Sequence, residues 1–102
     1  MLTIRPIATE DKPHWTELWR AYLAFYETEL PQAVYDTTFE RLCDPGREHQ
    51  CGRLAVQNDE PVGLVHYIYH AHNWRHEEVC YLQDLYATPE TRGMGIGRAL
   101  IE

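Results

Sequence analysis

The chain has 102 residues, of which 44% are hydrophobic and 25% are charged, a composition that predicts a soluble globular protein. Its length predicts one domain spanning residues 1–102, since separate cores need roughly 50 to 200 residues each. The formal net charge of −7 argues against nucleic acid and anionic membranes as partners, because both attract clustered Lys and Arg. The three cysteines show no CxxC spacing, and no apolar run approaches the roughly 18 residues that span a bilayer, so we expect a cytoplasmic protein.

The amino-terminal third predicts a strand followed by a long helix. Residues 2 to 6 alternate apolar and polar side chains and end at a proline, which suits a short strand. Asp11 is placed to cap a helix that has Pro13 in its first turn. Aromatic and leucine side chains then recur at helical spacing, which predicts an amphipathic helix of about four turns.

The middle of the chain predicts a shorter helix and a hairpin. Pro31 interrupts the first helix, and Asp36 offers a capped start for a second helix that ends near Cys43. Residues 52 to 57 and residues 62 to 70 have the β-branched and aromatic composition of strands and flank a turn-forming segment. We expect these two strands to pair as a hairpin.

The last third predicts a strand, a glycine-rich turn and the start of a helix. Residues 78 to 87 form an apolar run that predicts a long strand, buried over much of its length. Three glycines follow within residues 93 to 97, and a helix is expected to begin near Gly95. This order of elements places backbone N–H groups around a concavity that favours phosphate, although a tight turn without a ligand is the alternative.

Two common phosphate-binding motifs are excluded by the residues that follow the glycines. The P-loop requires Lys and then Ser or Thr after its last glycine, whereas Gly97 precedes Arg98 and Ala99. The dinucleotide pattern GxGxxG fails because Arg98 stands in the place of its third glycine.

The pattern Arg92-x-x-Gly95-x-Gly97 resembles the signature of the GCN5-related N-acetyltransferases, the GNAT superfamily. The segment from Tyr81 to Glu90 resembles the fourth strand of that family, and the preceding elements follow the order of its first half. The resemblance implies an α/β (α+β) fold with a mixed, mostly antiparallel sheet flanked by helices, in the order β1-α1-α2-β2-β3-β4-α3. The segment Tyr-Leu-Gln-Asp and the pair Tyr26-Glu27 look closest to the diamine and polyamine acetyltransferase branch.

By this resemblance the chain transfers acetyl from acetyl-CoA to a primary amine of a small molecule, polyamine-like or amino-acid-like, by direct attack. The backbone at Leu85, Tyr86 and Ala87 matches the positions that hold the pantetheine arm and polarise the thioester. The residues that match the pyrophosphate-binding turn are Arg92, Gly93, Met94, Gly95, Ile96, Gly97 and Arg98. The alternative for the two arginines is a solvated surface position.

Acetyl transfer requires the amine to lose a proton, so the site needs a proton acceptor. The related branch has glutamate where this chain has Gln83, and an amide accepts no proton at neutral pH. Asp84 is the next candidate, unless it only pairs with a neighbouring strand or loop. Tyr26 and Glu27 are candidates for binding a cationic substrate, with a solvated helix end as the alternative for Glu27. We expect the other aromatic residues to pack in the core, with an amine pocket lined by cation–π contacts as the alternative: Trp15, Trp19, Tyr22, Tyr67 and Tyr69.

Four histidines fall within eleven residues, and we interpret them as scattered surface side chains with no metal: His66, His70, His72 and His76. Family members also continue with further strands and a helix that are absent from this sequence, which predicts a truncated domain without its C-terminal half. A partner chain or a second copy, as in a homodimer exchanging elements, would cover the exposed surface. The alternative functions are a non-catalytic CoA- or phosphate-binding module and an obligate assembly subunit.

Overall fold

The computed structural model describes residues 2–91, 93 and 95–101. Its elements are β1 (Leu2–Pro6), α1 (Lys12–Phe25), α2 (Gln32–Cys43), β2 (Gln50–Gln57), β3 (Glu60–His70), β4 (Val79–Ala87) and α3 (Ile96–Ile101). The strands form one sheet in the order β1-β2-β3-β4, and every described pair is antiparallel. The predicted element order and the helix-flanked sheet are confirmed. Within the described residues, no helix combines the length and apolar character that crossing a membrane requires.

The start of α2 differs from the sequence prediction. The helix begins at Gln32, immediately after Pro31, and not at Asp36. Proline has a fixed φ and no N–H, so it suits the position before the first helical turn. Asp36 lies inside the helix, where its Oδ1 accepts hydrogen bonds from Lys12 Nζ at 2.8 Å and from Gln32 Nε2 at 3.1 Å.

Asp11 precedes α1 as predicted, but its carboxylate makes no capping bond to the helix. It accepts two hydrogen bonds from the Arg5 guanidinium, at 2.7 and 2.8 Å, and one from the Ala8 N–H at 2.7 Å. The hydrogen bond from Arg5 is the main reason that the pKa of Asp11 is lowered. This buried carboxylate therefore connects β1 to the beginning of α1.

The two faces of the sheet carry separate apolar clusters. Helices α1 and α2 cover one face, and the buried side chains there are Ile7, Trp15, Leu18, Trp19, Tyr35, Phe39, Leu54 and Leu64. Helix α3 covers the other face with Ile96 and Leu100. A Cβ on Gly63 would lie 3.0 Å from Ile96 Cγ2 and 2.9 Å from the Tyr86 carbonyl oxygen, so glycine lets α3 approach the sheet closely. The sheet is thus the middle of three layers.

Strand β4 is more exposed than its apolar sequence predicts. Tyr81 is 55% exposed and Leu82 is 45% exposed, so the expectation of a largely buried strand is wrong. The reason is position: β4 is the last strand in the described sheet, and an edge strand is covered on fewer sides. Apolar composition alone does not distinguish an edge strand from a central one.

Candidate active site

The end of β4, the glycine-rich turn and the second half of α1 surround a cavity of about 470 Å³, which we call the glycine-turn cavity. Its lining residues are Tyr22, Phe25, Tyr26, Leu85, Tyr86, Ala87, Thr91, Gly93, Gly95, Ile96 and Gly97. The structure therefore brings together most of the predicted cofactor-binding residues and Tyr26. Arg98 is exposed on α3 and does not line the cavity. The predictions for Arg92 and Met94 fall outside the described residues.

Two glycines of the turn have backbone conformations that favour glycine. Gly93 has φ 89° and Gly95 has φ 79°, both in the left-handed region. A Cβ built on either residue would meet no atom within 4 Å, so each glycine faces open space. A ligand can therefore approach the backbone of this turn closely.

Strand β4 contains a β-bulge next to the cavity. His66 lies opposite Asp84 and Tyr67 lies opposite Leu82, so Gln83 is the extra residue in the pairing with β3. The Tyr22 hydroxyl donates a hydrogen bond of 3.5 Å to the Gln83 carbonyl oxygen. A bulge bends its strand and changes the direction of nearby side chains. The two predicted catalytic residues, Gln83 and Asp84, thus stand at the irregular point of β4.

Asp84 pairs with a buried histidine. His66 is 4% exposed, and its Nδ1 lies 2.8 Å from Asp84 Oδ2. Trp15 Nε1 donates a hydrogen bond of 3.0 Å to His66 Nε2. Because Nε2 accepts and Nδ1 donates, the imidazole is the neutral tautomer with its proton on Nδ1. His66 therefore orients the Asp84 carboxylate.

The interpretation of the four histidines as surface residues is wrong for His66, which is the buried one. His70 and His76 are exposed and His72 is half-buried. Among residues 2–91, 93 and 95–101, no three His, Cys, Asp or Glu side chains are grouped as metal ligands.

The hydroxyl of Tyr22 stands between the bulge and the glycine-turn cavity. Burial, and after it the charge of Asp84, raise the pKa of Tyr22 to about 12. The phenol therefore keeps its proton throughout the neutral range and acts as a hydrogen-bond donor.

A second cavity of about 400 Å³, which we call the helix–sheet cavity, lies between α1, α2 and the sheet. Its lining residues are Trp19, Leu30, Val34, Thr38, Leu42, Gln50, Cys51, His66, Ile68, Gln83 and Asp84. Trp19 is 7% exposed, and its Nε1–H has no acceptor among the described residues. Asp84 is thus paired with His66 and is also one of the residues that line a space large enough for a small molecule.

The predicted pair Tyr26-Glu27 is divided between two cavities. Tyr26 lines the glycine-turn cavity, whereas Glu27 lines a third cavity together with Arg20 and Glu29. Glu27 follows the end of α1 with φ 56°, in the left-handed region. The Glu27 N–H donates to the Ala24 carbonyl at 2.9 Å, in a helix-ending geometry where glycine is usual.

The sequence profile of the acetyltransferase (GNAT) family matches residues 15–102. The chain belongs to this family. It is 38% identical over 103 residues to the D-amino-acid N-acetyltransferase HPA3 of Saccharomyces cerevisiae, and the match covers 99% of this chain. The chain spans 63% of the length of that relative.

Solved structures show the same GNAT fold at low sequence identity. The aminoglycoside acetyltransferase AAC(6′)-Iy, in complex with a CoA bisubstrate analogue, aligns with a TM-score of 0.83 at 17% identity, over 99% of this chain and 67% of its own. A possible acetyltransferase from Clostridium difficile 630 aligns with a TM-score of 0.82 at 20% identity, over 99% of this chain and 66% of its own. A ribosomal-protein-alanine N-acetyltransferase from Brucella melitensis aligns with a TM-score of 0.79 at 20% identity, over 99% of this chain and 67% of its own.

In this GNAT chain, most residues predicted from β4 and the glycine turn line one cavity, but the contacts around Asp84 were not predicted. His66 was interpreted as a surface side chain, and Trp15 and Trp19 were considered for an amine pocket but assigned to core packing. One signal was present: His66 lies two residues after Leu64 on β3, so its side chain belongs on the same buried face of the sheet.

Proposed function

We propose that this chain forms the acetyl-CoA side of an N-acetyltransferase that moves acetyl to the primary amine of a small molecule, polyamine-like or amino-acid-like. The observation that carries the proposal is the glycine-turn cavity, where the end of β4 and the glycine turn meet the aromatic side chains of α1. Membership of the GNAT family supports the same activity. The proposal concerns the whole protein, since the chain spans 63% of its relative.

Two features of the cavity support acetyl-CoA as its ligand. The open space in front of Gly93 and Gly95 allows phosphate groups to approach backbone N–H donors without meeting a Cβ. In the described sheet β4 lies at the edge, and an edge presents backbone groups to an extended ligand beside it. We therefore assign the pantetheine arm to the backbone at Leu85, Tyr86 and Ala87, which all line the cavity.

In the proposed reaction, acetyl-CoA supplies a thioester with a thiolate leaving group. The amine nitrogen forms a bond to the acyl carbon, the C–S bond breaks, the nitrogen loses a proton and the CoA sulfur gains one. Asp84 attracts the substrate ammonium and takes one proton from it before the attack, because only the neutral amine has a lone pair for the acyl carbon; this proton then passes to solvent. The second proton leaves the nitrogen after the N–C bond has formed and balances the one that the CoA sulfur gains. The position of Asp84 is set by His66, which donates from Nδ1. Gln83 contributes the bulge and hydrogen bonding but no proton transfer.

A non-catalytic CoA-binding module is the second candidate, because Gln83 stands where the related branch has glutamate. Catalytic and non-catalytic proteins differ in turnover and not in cofactor binding. Release of the CoA thiol in the presence of an amine therefore separates the two functions.

The experiment measures CoA thiol release with a panel of primary amines, for the wild-type chain and for Asp84→Asn. An amide accepts the hydrogen bond from His66 but takes no proton, so we expect kcat to fall by about 100-fold or more. The control is Glu40→Gln, an exposed carboxylate on α2, which should leave kcat unchanged. Full activity in Asp84→Asn would remove Asp84 from the mechanism. Acetyl-CoA binding without any thiol release would favour the non-catalytic module.

A further inference from the structure

The helix–sheet cavity has a largely apolar lining that a ligand can reach. Five of its residues have large apolar side chains: Trp19, Leu30, Val34, Leu42 and Ile68. Val34 is 37% exposed, and Leu30, Leu42 and Ile68 are half-buried. Because these side chains line the cavity and are not fully buried, a ligand there would cover apolar surface, and burial of such surface stabilises a complex. The cavity of about 400 Å³ is within the usual size range for small-molecule sites.

The charge of this cavity is that of a single carboxylate. Asp84 is the acidic residue among the lining residues described, and no Lys or Arg is found among them. His66 accepts from Trp15 at Nε2 and donates to Asp84 from Nδ1, so its imidazole is neutral. A ligand with one ammonium group would be matched by Asp84. A second ammonium would find no opposite charge in the described lining.

The register of the sheet places the apolar lining and the glycine-turn cavity on opposite sides of Asp84. His66 lies opposite Asp84 on β3, and Ile68 lies two residues further along the same face of that strand. Two residues of a strand span roughly 7 Å. In the other direction, the three residues of β4 that follow Asp84 line the glycine-turn cavity. An amine held at Asp84 therefore has the strand segment to which we assign the thioester on one side and Ile68 on the other.

We infer that the helix–sheet cavity binds the apolar group of the acceptor substrate, so that the enzyme selects a primary amine with an uncharged, apolar body and no second cation. The inference rests on the proposed function, because it names the substrate class of that reaction. It also narrows that function, since a polyamine would place its second ammonium against apolar side chains such as that of Ile68.

The test compares pentylamine with 1,5-diaminopentane, which is pentylamine with a second ammonium group on its last carbon. Each amine is titrated into the ¹⁵N-labelled chain with CoA present, and the backbone N–H signals followed by NMR give a Kd that does not depend on turnover. We expect the Kd of pentylamine to be lower by about tenfold or more, with the largest shifts at residues that line the helix–sheet cavity. The values of kcat/KM for CoA thiol release should follow the same order.

A carboxylate introduced into the apolar lining should change this preference. Ile68→Glu should lower the Kd of 1,5-diaminopentane by about tenfold and raise that of pentylamine, because the second ammonium then has a partner. Ile68→Gln is the matched control, since it has a similar size and no charge and should not favour the diamine. Ile68 is half-buried, so Val34→Glu, at an exposed position of α2, provides the same change with less risk to folding.

Three results would overturn the inference. The first is a Kd for 1,5-diaminopentane that equals or is lower than that of pentylamine in the wild-type chain. The second is a lack of shifts at the cavity residues with saturating pentylamine, and the third is an unchanged preference in folded Ile68→Glu and Val34→Glu. Each leaves the proposed function intact as long as acetyl-CoA binds and an amine releases the CoA thiol. Loss of acetyl-CoA binding by the folded chain would instead contradict the proposed function itself.

Discussion

Trp15 and Trp19 lie one turn apart on α1, with ring centroids 5.1 Å apart, yet their surroundings differ. Trp15 is fully buried, and its N–H donates to His66. Trp19 is almost as buried, but it lines the helix–sheet cavity and its N–H has no acceptor in the described residues. The indole of Trp15 stabilises the fold and orients the His66–Asp84 pair. The indole of Trp19 has a buried donor without an acceptor among the described residues, an arrangement that is rare in native proteins.

A second unfavourable feature lies just after the C-terminal end of α1. Glu27 adopts a left-handed backbone conformation that costs a non-glycine residue about 1 kcal/mol. Like Trp19, Glu27 lines a cavity. The polar groups near the beginning of α1 are therefore paired, in the Arg5–Asp11 ion pair and in the hydrogen bond from Trp15 to His66. Toward the C-terminal end of the helix, locally unfavourable features appear instead. Local strain beside a cavity suggests a functional constraint.

The largest stability difference is expected between the two tryptophan-to-phenylalanine variants. Both variants remove the same ring atoms from a buried site, so the cavity they leave has a similar cost in each. Trp15→Phe also leaves His66 Nε2 without its donor, and we expect it to lower the free energy of unfolding by about 1 to 2 kcal/mol more than Trp19→Phe. Urea unfolding of both variants measures the difference. Equal losses of unfolding free energy in the two variants would show that the hydrogen bond from Trp15 to His66 adds nothing to stability. The two tryptophans would then not differ in the way described above.

A smaller change, of opposite sign, is expected at Glu27. Glycine adopts φ 56° without the penalty of a Cβ, so Glu27→Gly should raise the free energy of unfolding by about 1 kcal/mol. Thermal unfolding monitored by circular dichroism gives the shift in Tm. Glu29→Gly is the control, since Glu29 is exposed and its φ is not in the left-handed region. If Glu27→Gly is neutral or destabilising, Glu27 makes stabilising contacts that exceed its backbone cost.

The sequence predicts well the features that depend on neighbouring residues. Strand β1 and helix α1 follow from alternation and helical spacing, and the glycine turn follows from a short motif. The start of α2 was missed because Asp36 has the side chain of a capping residue, whereas Pro31 fills that position. The burial of Tyr35 and Phe39, four residues apart, is what extends the helix toward Pro31.

The parts of the site that were missed depend on residues far apart in the chain. Trp15 and His66 are 51 positions apart, and His66 and Asp84 are 18 apart. Their contacts exist only when α1 packs across the bulge region of the sheet, and no local pattern encodes that packing. The exposure of β4 was missed for a related reason, because strand order decides which strand lies at the edge.

The most direct test of the central claim is calorimetric titration of acetyl-CoA into the wild-type chain and into Gly95→Gln. The open space in front of Gly95 should be filled by the glutamine side chain, so we predict micromolar binding by the wild type and none by the variant. Gly95→Ala is the matched control, because it has the same left-handed backbone strain with one added carbon, and it should retain weakened binding. A folded wild-type chain that binds no acetyl-CoA, or a Gly95→Gln variant that binds as the wild type does, would contradict the account.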